Sequence, residues 1–233
     1  MDMQATAWSL NGNALFSALS PECASFLTER MLTKPIISGE VLYEPDTPLL
    51  SLIFPHNCLI SLQTTLQDGR TVEKMSVGRD GFVGLEYLFG ESRFPSHAVT
   101  VIPGQASWLS VHDLAAAQEK FPEIGSLLSG YALRTYQRLM QTIVCASLHS
   151  ASQRIATWLL HAEDCSQSSS FDLTQRTLAN IFGLRLATVS DACARLQSAG
   201  AIDHSRGTIR IANRALLEEQ ACECYEAVRF SGL

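Results

Sequence analysis

Residues 174–200 read TQRTLANIFGLRLATVSDACARLQSAG. Thr174 has the short hydroxyl side chain suited to capping a helix N-terminus. Leu178, Ala179 and Ile181 then give a short helix one apolar face, and Gly183 supplies the backbone freedom of a tight turn. A second helix follows, with Val189, Ala192, Cys193 and Leu196 at inward-facing spacing. Helix, glycine turn, helix is the pattern of the helix-turn-helix, whose second helix enters the DNA major groove. The next stretch, IDHSRGTIRI at 202–211, reads as two short strands around Ser205-Arg206-Gly207, a two-stranded wing. An αα-hairpin packed only for structure would share the two helices, so charge has to separate the two readings.

The chain carries 17 Lys+Arg against 23 Asp+Glu, a net charge of −6. That average conceals one basic segment. Residues 171–214 hold six arginines (176, 185, 195, 206, 210 and 214) against Asp172, Asp191 and Asp203, a balance of +3. Residues before and after this segment are acidic, so a phosphate-facing surface has to lie within it. The helix-turn-helix and the wing fall inside it.

Composition narrows the remaining classes. At 233 residues, with 46% hydrophobic and 17% charged residues, the chain can bury one large or two modest cores and is not a disordered polymer. No apolar run approaches the ~18 residues of a membrane span, and MDMQATAWSL lacks a secretory signal. A cytoplasmic protein without a membrane partner is expected. Seven cysteines leave one over from any full set of disulfides, and in a reducing compartment none need pair. G-x-S-x-G, a phosphate loop and H-E-x-x-H are all absent from the sequence, so no enzyme is expected.

Upstream, Ser20-Pro21-Glu22 opens a short helix through Arg30. Then come short runs rich in Val, Ile, Leu and Thr: VLYE, LLSLIF, CLISLQTTL, TVEKMSV, AVTVI and ASWLSV. Turn signals such as Asp68-Gly69 and Arg79-Asp80-Gly81 punctuate them. This predicts an antiparallel barrel or roll ending near Val111. From Pro122 to Leu148 apolar residues recur at helical spacing, predicting a helix ~40 Å long. Leu128, Ala132, Tyr136, Leu139, Ile143 and Ala146 form one stripe; Leu133, Met140 and Val144 form a second. One stripe is expected to pack on the strands and the other on a second copy of the helix, with Leu128, Tyr136, Leu139 and Ile143 as dimerisation residues. Ser150 and Gln153 fit a capping box opening another helix, and SQSSS at 166–170 reads as a linker. The expected α+β organisation is a sensor domain over 14–116, a dimerisation helix over 117–148 and a winged helix-turn-helix over 149–225.

Strand-rich roll, long helix and winged helix-turn-helix, in that order, resemble the Crp/Fnr family of bacterial transcription regulators. SGEVLYEPDTP, VGRDGFVG, HSASQRIATWLL, LTQRTLANIFGLRLATVS and RLQSAGAIDHSRGTIRI carry the resemblance, which runs from about Ala14 to Tyr225. It implies a homodimer with a cyclic-nucleotide-binding-like sensor, with double-stranded DNA and RNA polymerase as partners. The family's Gly-Glu pair reads Gly84-Leu85 here, and its phosphate-holding Arg-Ser/Thr-Ala run reads Pro95-Ser96-His97-Ala98, with Glu86 and Arg93 one and two positions displaced. Gly84, Leu85, Glu86, Arg93, Ser96 and His97 are the expected effector residues, and the missing arginine argues against the usual cyclic AMP mode. The base-reading run R-E-T-V-S-R corresponds to Leu186-Ala187-Thr188-Val189-Ser190-Asp191. Leu186 and Ala187 can touch a thymine methyl and Asp191 can accept from cytosine. Arg185 suits guanine or phosphate; Thr174, Gln175, Arg176, Ser205 and Arg206 match backbone-clamping positions; Arg195 completes the DNA-facing set. The effector and the operator stay open.

Other chemistry competes at a few positions. Cys145 and His149, and likewise His161 and Cys165, are spaced i, i+4, so a metal- or redox-responsive regulator is the alternative within the same class. Cys222-Glu223-Cys224 raises a thiol oxidoreductase, but its C-x-C lacks redox spacing. His56, His97 and His112 leave haem open. The expectation is structural residues, with no metal and no cofactor.

Overall fold

The structure, a computed structural model, describes residues 12–228. Ser20 caps α1 (Pro21–Thr28), its hydroxyl accepting from the Cys23 N–H, with Pro21 in the first turn. Nine strands follow: β1 (Leu32–Ile36), β2 (Val41–Tyr43), β3 (Thr47–Pro48), β4 (Ser51–Pro55), β5 (Leu59–Thr65), β6 (Thr71–Val77), β7 (Arg93–Phe94), β8 (His97–Ile102) and β9 (Gly104–Ser110). They pair antiparallel in the orders β1-β9-β4, β2-β8-β5-β6 and β3-β7, the predicted roll. Phe94, Ile53, Ile60 and Val83 fill its interior, each buried. The sequence reading missed β1, which contains Pro35; it pairs with β9 alone, at a sheet edge where proline's missing donor is tolerated.

The sequence reading also missed α2 (Val111–Lys120), capped by Ser110, which runs across the expected boundary at 116/117. The long helix α3 (Glu123–Leu148) is present, followed by α4 (Ala151–Ser166), whose capping box uses Ser150 and Gln153 as expected. The inward face of α3 differs from the expectation. Ile124, Leu128, Tyr131 and Thr135 are its buried residues, whereas Leu133, Tyr136, Leu139, Met140, Ile143 and Val144 are all exposed. Leu128 is therefore corrected: at 2% exposure it packs in the sensor core with Leu52, Phe82 and Leu114. From Thr135 onward the face turned to the protein becomes polar, so the later residues of both apolar stripes turn outward.

After α4, β10 (Ser170–Phe171) leads into α5 (Gln175–Phe182), α6 (Leu186–Ser198), β11 (Ile202–Ser205), β12 (Thr208–Ile211), α7 (Arg214–Gln220) and α8 (Cys224–Val228). The stretch read as a linker is thus a short turn, with Ser170 already paired to Arg210. One core joins Leu159 of α4, Leu178 of α5 and Leu196 of α6 to Leu59 and Ile102 at the ends of β5 and β8. Burying each such side chain is worth about 1.5–3 kcal/mol, so the C-terminal helices are seated on the roll. Among the described residues no helix is long and apolar enough to cross a membrane.

Candidate nucleic-acid interface

Thr174 Oγ1 accepts from the Thr177 N–H and starts α5. Gly183 ends it at φ +63°, a left-handed conformation that turns the chain into α6 within three residues. Val189, Ala192, Cys193 and Leu196 face the core, as the spacing predicted. That leaves Leu186, Ala187, Thr188, Ser190, Asp191 and Arg195 exposed on α6, with Arg185 exposed at its start. Thr174, Arg176, Ser205 and Arg206 are exposed too, and Gln175 is half-buried. The wing strands pair from Ile202 opposite Ile211 to Ser205 opposite Thr208, which puts Arg206 at the tip.

The six arginines of the basic segment divide. Arg210 is paired with Asp203 on the wing. Arg214 binds Glu163 at 2.6 Å, Asp164 at 2.9 Å and Glu218 at 2.9 Å, which anchors α7 to α4. The side chains of Arg176, Arg185, Arg195 and Arg206 make no hydrogen bond or ion pair with the described residues. Those four side chains are thus uncommitted and exposed, one on α5, one at the start and one in the last turn of α6, and one at the wing tip.

The C-terminal helices meet the roll through buried polar contacts. Arg138 of α3 donates from Nη1 to Asp80 Oδ2 at 2.7 Å, and its Nη2 lies 3.0 Å from His161 Nε2 of α4. Burial, and after it the Arg138 charge, push the His161 imidazole down to about 4, so it is neutral at pH 7. Burial alone would raise the Asp80 carboxyl, but the Arg138 charge, with His161 and the hydrogen bonds Asp80 accepts, together hold it below the usual carboxylate range. A second link runs from Trp158 Nε1 of α4 to Glu73 Oε1 of β6 at 3.2 Å, and burial pushes the Glu73 carboxyl up. The close approach needs Gly78: a Cβ there would sit 2.2 Å from Cys165 Sγ. Between β6, α3, α4 and α5 lies a cleft of about 310 Å³, lined among others by Glu73, Arg138, Trp158, Phe182 and Cys224.

None of the six expected effector residues lines that cleft. Gly84 precedes a 3₁₀ turn over Leu85–Phe89. The carboxyl of Glu86 in that turn is raised by burial, and its Oε2 has no hydrogen-bond partner. Ser96 is buried and accepts a hydrogen bond from Lys74 Nζ. Arg93 is exposed and engages the carbonyl and, at 3.3 Å, the carboxylate of Asp46, while His97 Nδ1 lies 2.7 Å from Glu44 Oε2.

The Crp-like helix-turn-helix domain family matches residues 153–220. This segment is similar to Crp-like helix-turn-helix domains. The fold of the chain is that of the Crp/Fnr regulators. FixK2 from Bradyrhizobium japonicum superposes with a TM-score of 0.68 at 19% identity, over 82% of this chain and 98% of its own. A CRP-family transcriptional regulator from Thermus thermophilus gives 0.67 at 18%, over 81% and 96%. The c-di-GMP-responsive regulator CLP from Xanthomonas campestris gives 0.64 at 14%, over 83% and 100%. No curated protein matches the sequence.

Within this segment, the residues of α6 expected to face outward are exposed and those expected to face inward are buried, because helix periodicity is local. It missed the contacts that seat the domain on the sensor. Arg138, Asp80 and His161 lie in three separate segments, so no local pattern in the sequence reports their contact. Cys145 and His149 were noted as a pair, and the structure joins them to Cys222 and Cys224 instead of to His161 and Cys165.

Proposed function

We propose that the chain is a DNA-binding transcription regulator rather than an enzyme, acting in the cytoplasm as a homodimer and communicating with RNA polymerase. The single observation that carries the reading is the combination, across α5, α6 and the wing, of an exposed face of α6 with four arginines whose side chains are uncommitted. An arginine paired within its own chain has to exchange that partner for a phosphate; these four do not. Arg176, Arg206, Thr174, Gln175 and Ser205 would grip the backbone, while Leu186, Ala187, Thr188, Ser190 and Asp191 meet base edges, with Arg185 and Arg195 at either end of the contact.

The dimer is supported by Leu133, Tyr136, Met140 and Ile143, spaced 3, 4, 3 on α3 and exposed, a heptad-like seam that a second copy of the helix would cover. Leu139 flanks it. For the signal, the half-buried Glu86 with its unsatisfied oxygen and the buried Ser96–Lys74 contact favour a sensor site around residues 84–97. The cyclic AMP mode is disfavoured because Arg93 is spent on Asp46 at the surface. The c-di-GMP-responsive neighbour illustrates that this fold serves more than one signal.

The test is selection of binding sites from random duplex DNA, with sedimentation of the free protein. A two-fold-symmetric site bound by a dimer is expected. Enrichment of no sequence, or a monomer at micromolar concentration, would reject the reading.

A further inference from the structure

Four side chains from opposite ends of the C-terminal half meet where α3 stops. Cys145 and His149 lie one helical turn apart at its end, and Cys222 and Cys224 come from the junction of α7 and α8. Cys145 Sγ is 3.6 Å from Cys222 Sγ, and Cys224 Sγ is 3.5 Å from His149 Nδ1. All four atoms lie within 4.8 Å of one another. With bonds of ~2.3 Å to sulfur and ~2.0–2.1 Å to nitrogen, a tetrahedral zinc ion separates its ligands by ~3.8 Å between sulfurs and ~3.6 Å between sulfur and nitrogen. Two edges already have these lengths, and the remainder close within about 1 Å of side-chain movement.

The surroundings are those of a ligand set rather than of four unrelated residues. His149 turns Nδ1 to the thiols, while its Nε2 lies 3.2 Å from Glu223 Oε2, a carboxylate that fixes the ring and its tautomer. Gln141 Nε2 donates to Cys224 Sγ at 3.0 Å. The Cys222 N–H donates to Thr157 Oγ1, which leaves the threonine hydroxyl, 3.2 Å from Cys222 Sγ, free to donate to that sulfur. Donors aimed at sulfur stabilise a thiolate.

We propose that Cys145, His149, Cys222 and Cys224 bind one zinc-class divalent ion, tying α8 to the end of α3. Binding converts three thiols to thiolates and releases their three protons to solvent, with no change of oxidation state. The spacing suits a single ion, since the bridging sulfides of an iron–sulfur cluster would hold the thiolates further apart. A Cys145–Cys222 disulfide is the rival, and it would leave Cys224, His149 and Glu223 without a common role.

Full-length protein purified under reducing conditions should contain about one zinc per chain by atomic emission. After chelation, Co(II) alone should restore one site with thiolate-to-cobalt charge transfer and the intense visible bands of tetrahedral, sulfur-rich coordination. Cys224→Ser and His149→Ala should each weaken Co(II) about tenfold or more, and Glu223→Gln should weaken it by about 10–100-fold with the visible bands unshifted. Cys193→Ser, in the reader core away from the cluster, should bind as wild type. Wild type that takes up neither metal overturns the proposal whatever the variants do. So do cobalt bands that persist in the Cys222→Ser/Cys224→Ser double variant, or mass spectrometry of the reduced-purified protein that finds Cys145 and Cys222 cross-linked.

Discussion

Arg138 Nη1 lies 2.7 Å from Asp80 Oδ2 in an ion pair largely shut off from solvent. Asp80 belongs to the sensor turn at 78–81, Arg138 to the long helix, and the same guanidinium reaches His161 in the reader. Arg138→Met would strand the aspartate carboxylate and should cost about 3–5 kcal/mol. In the Asp80→Asn/Arg138→Met double variant the loss should be smaller than the sum of the single losses, measured by urea unfolding. Strict additivity would mean that the pair does not couple the two parts.

His161 makes stability depend on pH. Its folded value of about 4 lies below the ordinary 6.5, so the unfolded chain takes a proton that the folded chain refuses. Stability should therefore fall as pH drops from 6.5 towards 4, by up to about 1.4 kcal/mol per unit. Glu73, raised by burial, acts with the opposite sign above its ordinary 4.5, so comparison with a variant isolates the histidine. His161→Gln should lose less stability than wild type between about pH 7 and about pH 5. Equal losses would exclude a neutral buried imidazole.

Two substitutions on α3 should behave differently. Ile143→Lys, at a position 62% exposed, should leave the fold intact and dissociate the proposed dimer in sedimentation. Leu128→Ala should instead cost about 2–5 kcal/mol of stability, since its methyl groups lie in the sensor core. Ile143→Lys protein that stays dimeric at micromolar concentration would remove the seam from α3.

On DNA, gripping and reading should separate. Arg176→Ala and Arg206→Ala should weaken all sequences alike and flatten the plot of log affinity against log salt by about 0.9 for each phosphate left without its cation. Asp191→Ala should alter the preferred base by about 1–3 kcal/mol with little change in salt slope. An Arg206→Ala protein with wild-type affinity at every salt concentration, and an Asp191→Ala protein with an unchanged site, would exclude this face.

The helix-turn-helix was legible because everything that defines it is local: the hydroxyl of Thr174, the turn at Gly183 and apolar residues at helical spacing. Six strands were legible for the same reason. The long helix was legible as a helix and misread as a surface. From Thr135 onward its inner side carries Arg138, Gln141, Cys145 and His149, all of which bond across the junction, so the apolar period tracked the outer side. Cys145 and Cys222 are brought together by α7 packing on α4, and no periodicity in the sequence reports a contact of that span.

Only His149 and Ser150 separate α3 from α4. With 16 residues, α4 is a rigid arm about 24 Å long hinged on that two-residue elbow. Tilting the arm by about 10° would carry its far end about 4 Å, a little more than the ~3.4 Å step between neighbouring nucleotides. Were its packing on β5 and β8 and its bonds to Arg138 and Glu73 released, a deflection small enough for two backbone dihedrals to absorb would move the proposed reading helix by about one nucleotide step, with every helix still folded.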